Sequence, residues 1–476
     1  MAWWLTNRYR AIVVAITFLC LTAINSNYII INFTFICMDS DMSHVVEDGN
    51  GTLISRYSYD PYQKSLLVFA VGAGSVFGTL PFNFGFIRWG AKFPFLFAGI
   101  CSMVATAAVP LAADLSFAGV LVLRFIQGFA YAADFCVLGV ITVKWAPLNE
   151  MSIFIAIMTS FVTYSPFLTN MVSSFFCTSW LTWKWSFYAH AIFSAVCFTA
   201  WLFYYGDEPA RHSRVNREEL LKIQKGKTKE HLEADHFVPY KAILTTPTMY
   251  AIWLNGFAEI STITLLLTYM PMYLNKVLGF SIASTGMISA MAALSHAPVK
   301  YASGWFSDKN KTFTEHRKLQ LCNFMAVGFA GVLFVLVGLV KTAGGGIIAV
   351  VLIFGIYLAM GANCGGYWKC AALTSRQYAN FVLSVNQFMK CIALGTAPGS
   401  WLLFVSDERD VDQWSYVYYL NGAILIVANI VFYFMCSDKP AEFTKMTRDN
   451  PTGKQEFLNS VENSLRRETT TTNGEA

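Results

Sequence analysis

Charge is scarce in this 476-residue chain: 13% of its residues are Asp, Glu, Lys or Arg, against 55% that are hydrophobic. A soluble core of this length does not need so much apolar surface, and the mean hydropathy of +0.47 points to a chain embedded in lipid. The usual signatures of catalysis are missing as well. There is no Walker-type loop, no nucleophile triad, and no CxxC pair or Cys/His cluster that would ligate zinc, so neither an enzyme nor a primary pump is expected, and no cofactor. The weak ten-residue alternation of a membrane β-barrel is absent too.

What the chain does have is about twelve continuous apolar runs, near 11–36, 64–86, 94–113, 116–142, 152–176, 185–205, 249–273, 281–303, 320–340, 345–368, 382–404 and 416–436. In hydrocarbon every backbone polar group must be paired within the chain, so runs of about 20 apolar residues become spanning helices. The charged stretch 206–246 divides them six and six. The expected fold is an all-α membrane protein of twelve helices in two pseudo-repeats: 1–205, the central loop 206–246, 247–437, and a disordered polar tail 438–476.

Basic residues set the orientation. With the amino end inside, the inner loops hold Arg8, Arg10, Arg88, Lys92, Lys144, Lys309, Lys311, Arg317, Lys318 and Arg376, whereas the short outer loops hold few. Both termini and the central loop are thereby placed in the cytoplasm. The net charge of +5 is topological and gives no reason to expect nucleic acid as a partner. The bilayer and a small-molecule solute are the expected partners, and a monomer suffices to form the pathway. The acidic loop 38–63 falls outside and carries the sequon Asn50-Gly51-Thr52, a candidate glycosylation site. Of the 11 cysteines most are packing residues, but Cys37 and Cys177 fall near the outer ends of their helices and are a candidate disulfide. The central loop alternates in sign; 217–224 can form a short surface helix, and a solvated linker is expected.

Charges inside the spans cost several kcal/mol unless they face a partner or a water-filled cavity. They are Arg124, Asp134, Glu259, Lys369 and Lys390. Arg124 can hold an anion through its planar fork, with Tyr131 on the same helical face as a hydrogen-bond donor; the alternative is a permanent pair with an acid such as Glu259. Glu259 can accept a proton or coordinate sodium, or can snorkel. Asp134 lies ten residues, about 15 Å, beyond Arg124, and a structural role near the inner end is expected of it. Lys390 is a second candidate contact for the anion. His296, with Pro298 nearby, is a candidate proton relay, or else a packed polar residue.

Several motifs are similar to those of a known family. Gly85-Phe86-Ile87-Arg88-Trp89-Gly90-Ala91-Lys92 and Gly304-Trp305-Phe306-Ser307-Asp308-Lys309 occupy equivalent loops of the two halves. They resemble the G-x-x-x-D-R-x-G-R-K gating loop of the major facilitator superfamily, with Ile87 standing in place of the first acid. Arg124-Phe125-Ile126-Gln127-Gly128 and Trp145-Ala146-Pro147-Leu148-Asn149-Glu150 resemble elements of its sodium-phosphate cotransporter, sialin and vesicular glutamate transporter family. Asp207-Glu208-Pro209 and Ser375-Arg376-Gln377-Tyr378-Ala379 resemble others of that family. The resemblance implies alternating access by a secondary transporter of a small organic anion or phosphate, coupled to sodium or protons, in a plasma, vesicular or lysosomal membrane. It also implies gating by Arg88, Gly90, Lys92 and Asp308. The chain departs from the family at Asn25, followed by Asn27, where an arginine is expected; at Tyr131, where a glutamate is expected; and at Glu259, where vesicular members have an arginine. Asn25 and Asn27 thus become candidate substrate contacts. These departures keep two other readings open, a transporter-like receptor or sensor and a carrier of a neutral or cationic solute.

Overall fold

The computed structural model describes residues 9–43, 45–47, 53–147, 154, 157–224, 238–340 and 346–446. Six helical segments precede the central loop: Tyr9–Ser40, Pro61–Trp89, Lys92–Leu115, Phe117–Tyr131 continued by Ala133–Trp145, Phe161–Thr178 and Thr182–Tyr204. Six follow it: Pro247–Met272 continued by a π turn at Tyr273–Val277, Ile282–Lys309, Glu315–Leu339, Gly346–Ser375, Ala379–Phe404 and Val411–Met435. They are called the first to twelfth spans. Among the described residues, nine are long and apolar enough to cross a membrane. The other three, the fifth, eighth and eleventh, pack across the boundary between the halves, the fifth against the eighth and the eleventh against the second. Their polar residues can face protein, so hydropathy alone reads them less clearly.

Local chemistry sets the helix ends. Asp60 accepts from the Gln63 backbone at 2.6 Å while the Gln63 side chain accepts from the Asp60 backbone at 3.2 Å, and Pro61 opens the helix, so the second span starts with a capping box. Pro271 precedes the π turn of the seventh span, and Gly361–Gly365 narrows the tenth to a 3-10 turn. In the loop expected outside, Val45–Glu47 pairs antiparallel with Leu53–Ser55, a short hairpin that the apolar pattern did not signal. Asn50 lies outside the described residues.

Two expectations are corrected. The central loop is no free linker where it is described: Arg217–Gln224 is a helix that buries Glu219 and Ile223. The Glu219 carboxylate accepts from the Arg10 backbone at 2.8 Å, placing a negative charge on the N-terminal end of the first span, as the helix dipole favours. The tail, expected to be disordered from 438, is packed as far as it is described. Phe443 is buried, and the Ala441 backbone donates to Thr374.

The outer ends of the halves are drawn together by four charges. Lys64 of the second span contacts Asp39 at 3.1 Å and Glu408, in the loop before the twelfth span, at 2.7 Å; Lys276 at the end of the seventh also reaches Asp39 at 3.1 Å. Beneath them Tyr269 stacks on Trp401 with ring centroids 4.5 Å apart, and Asn32 donates to Thr268 at 3.5 Å. Breaking a buried ion pair costs about 3–5 kcal/mol, less here because the cluster is partly solvated. Lys64→Gln is therefore expected to raise labelling of a cysteine introduced at Ser65, just below the cluster, by about tenfold with an impermeant maleimide added outside. Unchanged labelling would remove the cluster as an outer closure. Burial and the Asp39 carboxylate hold the Glu408 carboxyl above the usual range despite Lys64 and Lys276. A group that binds its proton more readily in the closed arrangement favours closure as pH falls, over the window just above the ordinary carboxylate range. Acidifying the outer medium is thus expected to slow that labelling, and Glu408→Gln to abolish the dependence.

Cys37 and Cys177 are joined, with Cα atoms 5.8 Å apart, tying the first span to the fifth across 140 residues of sequence. Closing a loop of this size contributes up to about 5 kcal/mol. Cys37→Ser is expected to lower the Tm by several degrees, and alkylation of both thiols without reductant would exclude the bond.

Candidate functional site

Arg124 is buried in the fourth span, and the close packing of that span on the second decides where it points. A Cβ on Gly128 would lie 2.1 Å from the Val71 carbonyl oxygen, and one on Gly74 would lie 2.1 Å from that of Phe125, so both glycines let the two backbones touch. One edge of the guanidinium is held: Nη1 donates to the Tyr28 carbonyl and to Gln127 Oε1, both at 2.7 Å, and Nε donates to the Leu67 carbonyl at 3.3 Å. Gln127 is itself fixed, donating to the Asn27 carbonyl at 3.0 Å and to Thr106 at 2.8 Å. Nη2 makes no hydrogen bond, and no carboxylate lies within ion-pair distance of Arg124, among the described residues. The alternative of a permanent pair with Glu259 is therefore not what the fold builds.

Asn27, a candidate substrate contact, faces the interior of the first half. Its amide donates to Ser102 and Ser194, each at 2.9 Å, tying the first, third and sixth spans together. Asn25 is buried with its Oδ1 unpartnered among the described residues. Tyr131 packs at a tilt against Tyr28, with ring centroids 4.3 Å apart and hydroxyls at 3.5 Å.

Lys390 is already engaged. Its Nζ lies 2.9 and 2.7 Å from the two oxygens of Asp134 and 3.8 Å from the centroid of the Tyr131 ring. Both partners are buried. Asp134 thus lies well inside the fourth span, eleven residues or about 16 Å before its end at Trp145, and not at its inner end as expected. Sequence reasoning missed the pairing because the partners stand on different halves; an acid and a base each deep in an apolar run was the available signal.

Glu259 lies within the second half. Its Oε1 accepts from Asn363 of the 3-10 turn at 2.5 Å, while Oε2 makes no hydrogen bond among the described residues; Tyr367 and the Lys300 ammonium are its other polar neighbours. His296 sits at the boundary, with Nδ1 3.2 Å from Thr163 of the fifth span, and Nε2 unpartnered among the described residues. Elsewhere, Thr169 Oγ1 in the fifth span and Asn386 Oδ1 in the eleventh are likewise buried without partners among the described residues.

The inner loops differ from the expected latch. Gly90 has φ +76, and the Asp207 carboxylate lies where its Cβ would be, at 2.6 Å. Asp207 accepts from the backbones of Ala91 at 2.6 Å and Lys92 at 3.2 Å, so this loop is capped by the start of the central loop, at the beginning of the third span. Arg88 is exposed and lies over Phe84 at 6.0 Å. At Gly304, in the equivalent loop of the second half, nothing lies within 4 Å of the place of its Cβ among the described residues. The side chain of Asp308 lies outside the described residues; around it, Lys369 donates to Ser307 and pairs with Glu315 at 3.1 Å. Trp145 anchors the inner end of the fourth span, donating to the Gly206 carbonyl at 3.1 Å.

Residues 11–398 match the Major Facilitator Superfamily. Over 388 residues the chain is 26% identical to the "Probable small intestine urate exporter" of Mus musculus, covering 80% of this chain and 77% of that one. It is 23% identical to "Sialin" of Homo sapiens, covering 79% and 76%, and 23% identical to "Vesicular glutamate transporter 1" of Xenopus laevis, covering 82% and 68%. Among solved structures, the inward open conformation of the xylose transporter XylE from E. coli superposes with a TM-score of 0.67 at 13% identity, covering 90% of this chain and 96% of that one. That likeness speaks for the fold alone. With its motifs, its twelve spans and its two halves in agreement, the chain belongs to the Major Facilitator Superfamily, as a divergent relative of that superfamily's phosphate, sialic acid and glutamate carriers.

Proposed function

We propose that the protein is a secondary transporter of a small organic anion or phosphate, working by alternating access and driven by a proton or sodium gradient. The observation that carries this is Arg124: a buried guanidinium held on one edge by Tyr28, Leu67 and Gln127, with its Nη2 unbonded and no carboxylate paired to it among the described residues. A buried cation without a counter-charge is costly, and a carboxylate or phosphate entering from the path would supply both the charge and the fork geometry. Lys390, paired with Asp134, is a second cation for the anion once that pair parts, and Glu259, buried with one oxygen free of hydrogen bonds among the described residues, is an acid able to take the coupling ion. The urate, phosphate and glutamate named in its relatives make those anions the first to test. The orientation read from the basic residues supports cytoplasmic termini, in a plasma or vesicular membrane.

The test is uptake by proteoliposomes of urate, glutamate, sialic acid, phosphate, and cationic and neutral solutes, under imposed proton and sodium gradients. Gradient-driven accumulation of an anion that vanishes in Arg124→Ala is expected. Ligand binding without accumulation under either gradient would favour a receptor, and accumulation of cations alone would overturn the anion reading.

A further inference from the structure

Polar ties between the halves form a ladder. At the top is the outer charge cluster, then Asn32 with Thr268 and Ser65 with Tyr269, and deepest among those described are Thr79 with Cys391, Thr163 with His296, and Asp134 with Lys390. Only the last of these deep ties is an ion pair. Asp134 belongs to the fourth span and Lys390 to the eleventh, so a rocking of the halves that parts those spans must part the pair. Separating two buried charges with nothing to replace either is strongly unfavourable.

We propose that this pair is the switch that couples a proton to the transported anion, with Asp134 as the proton acceptor. In the empty protein the Asp134 carboxylate occupies Lys390. A proton from the medium binds one Asp134 oxygen, forming an O–H bond and leaving a neutral carboxyl. The Lys390 ammonium keeps its own protons and is released to a carboxylate or phosphate oxygen of the substrate. One proton and one negative charge enter together, and the buried charge at the pair is unchanged. Returning the proton restores the carboxylate, which reclaims Lys390 and expels the anion.

The surroundings suit this role. Among the described residues, the titratable groups facing the pair are Tyr28 from the first span, Tyr131 and Cys136 from the fourth, and Cys391 from the eleventh; Thr79 of the second reaches Cys391 at 3.9 Å. Phenols and thiols are ordinarily neutral at physiological pH, which leaves Asp134 as the group there whose charge a proton gradient can change. The pair is also linked to the anion site. Lys390 lies on the Tyr131 ring, Tyr131 meets Tyr28, and the Tyr28 carbonyl holds Arg124. The inference rests on the anion-transport reading and moves the coupling step from Glu259, whose partners among the described residues lie within the second half, to the boundary between the halves.

Two measurements on the full-length protein test it. The first needs no substrate: infrared difference spectra between neutral and acidic buffer, on purified protein. A protonated-carboxyl band distinct from those of Glu408 and the other titrating carboxyls is expected in the wild type and expected to be lost in Asp134→Asn. Since that variant leaves Lys390 buried without its carboxylate, Asp134→Asn with Lys390→Gln serves as the folded control and should lack the band as well. The second is transport of labelled urate, glutamate and phosphate. Asp134→Asn should lose at least tenfold of proton-driven accumulation while exchange at equal pH stays within about threefold, and Lys390→Gln should lose both. A band that persists in both Asp134 variants overturns the proposal, as does proton-driven accumulation at the wild-type level in Asp134→Asn. If the wild type moves none of these anions, the anion reading has failed, and the infrared result still decides whether Asp134 takes the proton.

Discussion

Arg124→Lys is expected to lower anion uptake about a hundredfold or more, and to do so in a protein that still folds. The guanidinium donates to two backbone carbonyls and to Gln127 along one edge, which fixes the direction of the other. An ammonium has the charge but not the fork, and cannot satisfy Tyr28, Leu67 and Gln127 while also meeting an anion. Losing one partner of a buried, hydrogen-bonded charge pair typically costs about 2–5 kcal/mol. The loss should appear in binding as well as in rate, because the contact is made to the bound anion. Equilibrium binding and initial uptake, together with a monodisperse elution profile, check it; a lysine variant with wild-type affinity would show that the positive charge alone is needed, or that Arg124 is only a tie between helices.

The second large effect is on folding. Gly128→Val should abolish folded protein, and Gly128→Ala should lower stability by more than about 3 kcal/mol. Overpacking a well-packed site usually costs about 1–3 kcal/mol, and here the new Cβ would meet backbone, the Val71 carbonyl at 2.1 Å, which cannot move aside as a side chain can. The second and fourth spans would have to separate, taking the Leu67 carbonyl away from Arg124. Gly139, further along the same span, has nothing within 4 Å of its Cβ position among the described residues, so Gly139→Ala should be neutral or stabilising by up to about 1 kcal/mol. Thermal unfolding in detergent compares them. Similar losses at both positions would mean that helix propensity, and not the contact between the spans, decides.

Much of the molecule could be read from sequence because membrane insertion acts on contiguous segments. The twelve spans and their division follow from where apolar runs begin and end, a condition each stretch meets by itself. The Arg-x-x-Gln-Gly run was legible for the same reason: Arg124 and Gln127 are one turn apart on a single helix and meet wherever that helix lies. Cys37 and Cys177 were nominated by their place at outer helix ends, a property of each cysteine's own span.

What stayed hidden depends on how helices rotate and cross. Lys64 and Glu408 are 344 residues apart, and Asp134 and Lys390 are 256 apart. In sequence Asp134 read as a structural acid at the inner end and Lys390 as an open substrate contact; the packing of the eleventh span on the first half makes them partners. Asn27 turned inward for the same reason, since the third and sixth spans supply the hydroxyls that hold its amide. The Gly90 loop, expected to latch the halves, is closed by Asp207 at the start of the central loop. Lipid tests each segment separately for apolarity and for paired backbone, so the sequence alone determined that this is a twelve-helix membrane protein with an arginine buried in its fourth span. Which charges face one another is a matter of geometry between helices far apart in the chain, and only the tertiary structure decided it.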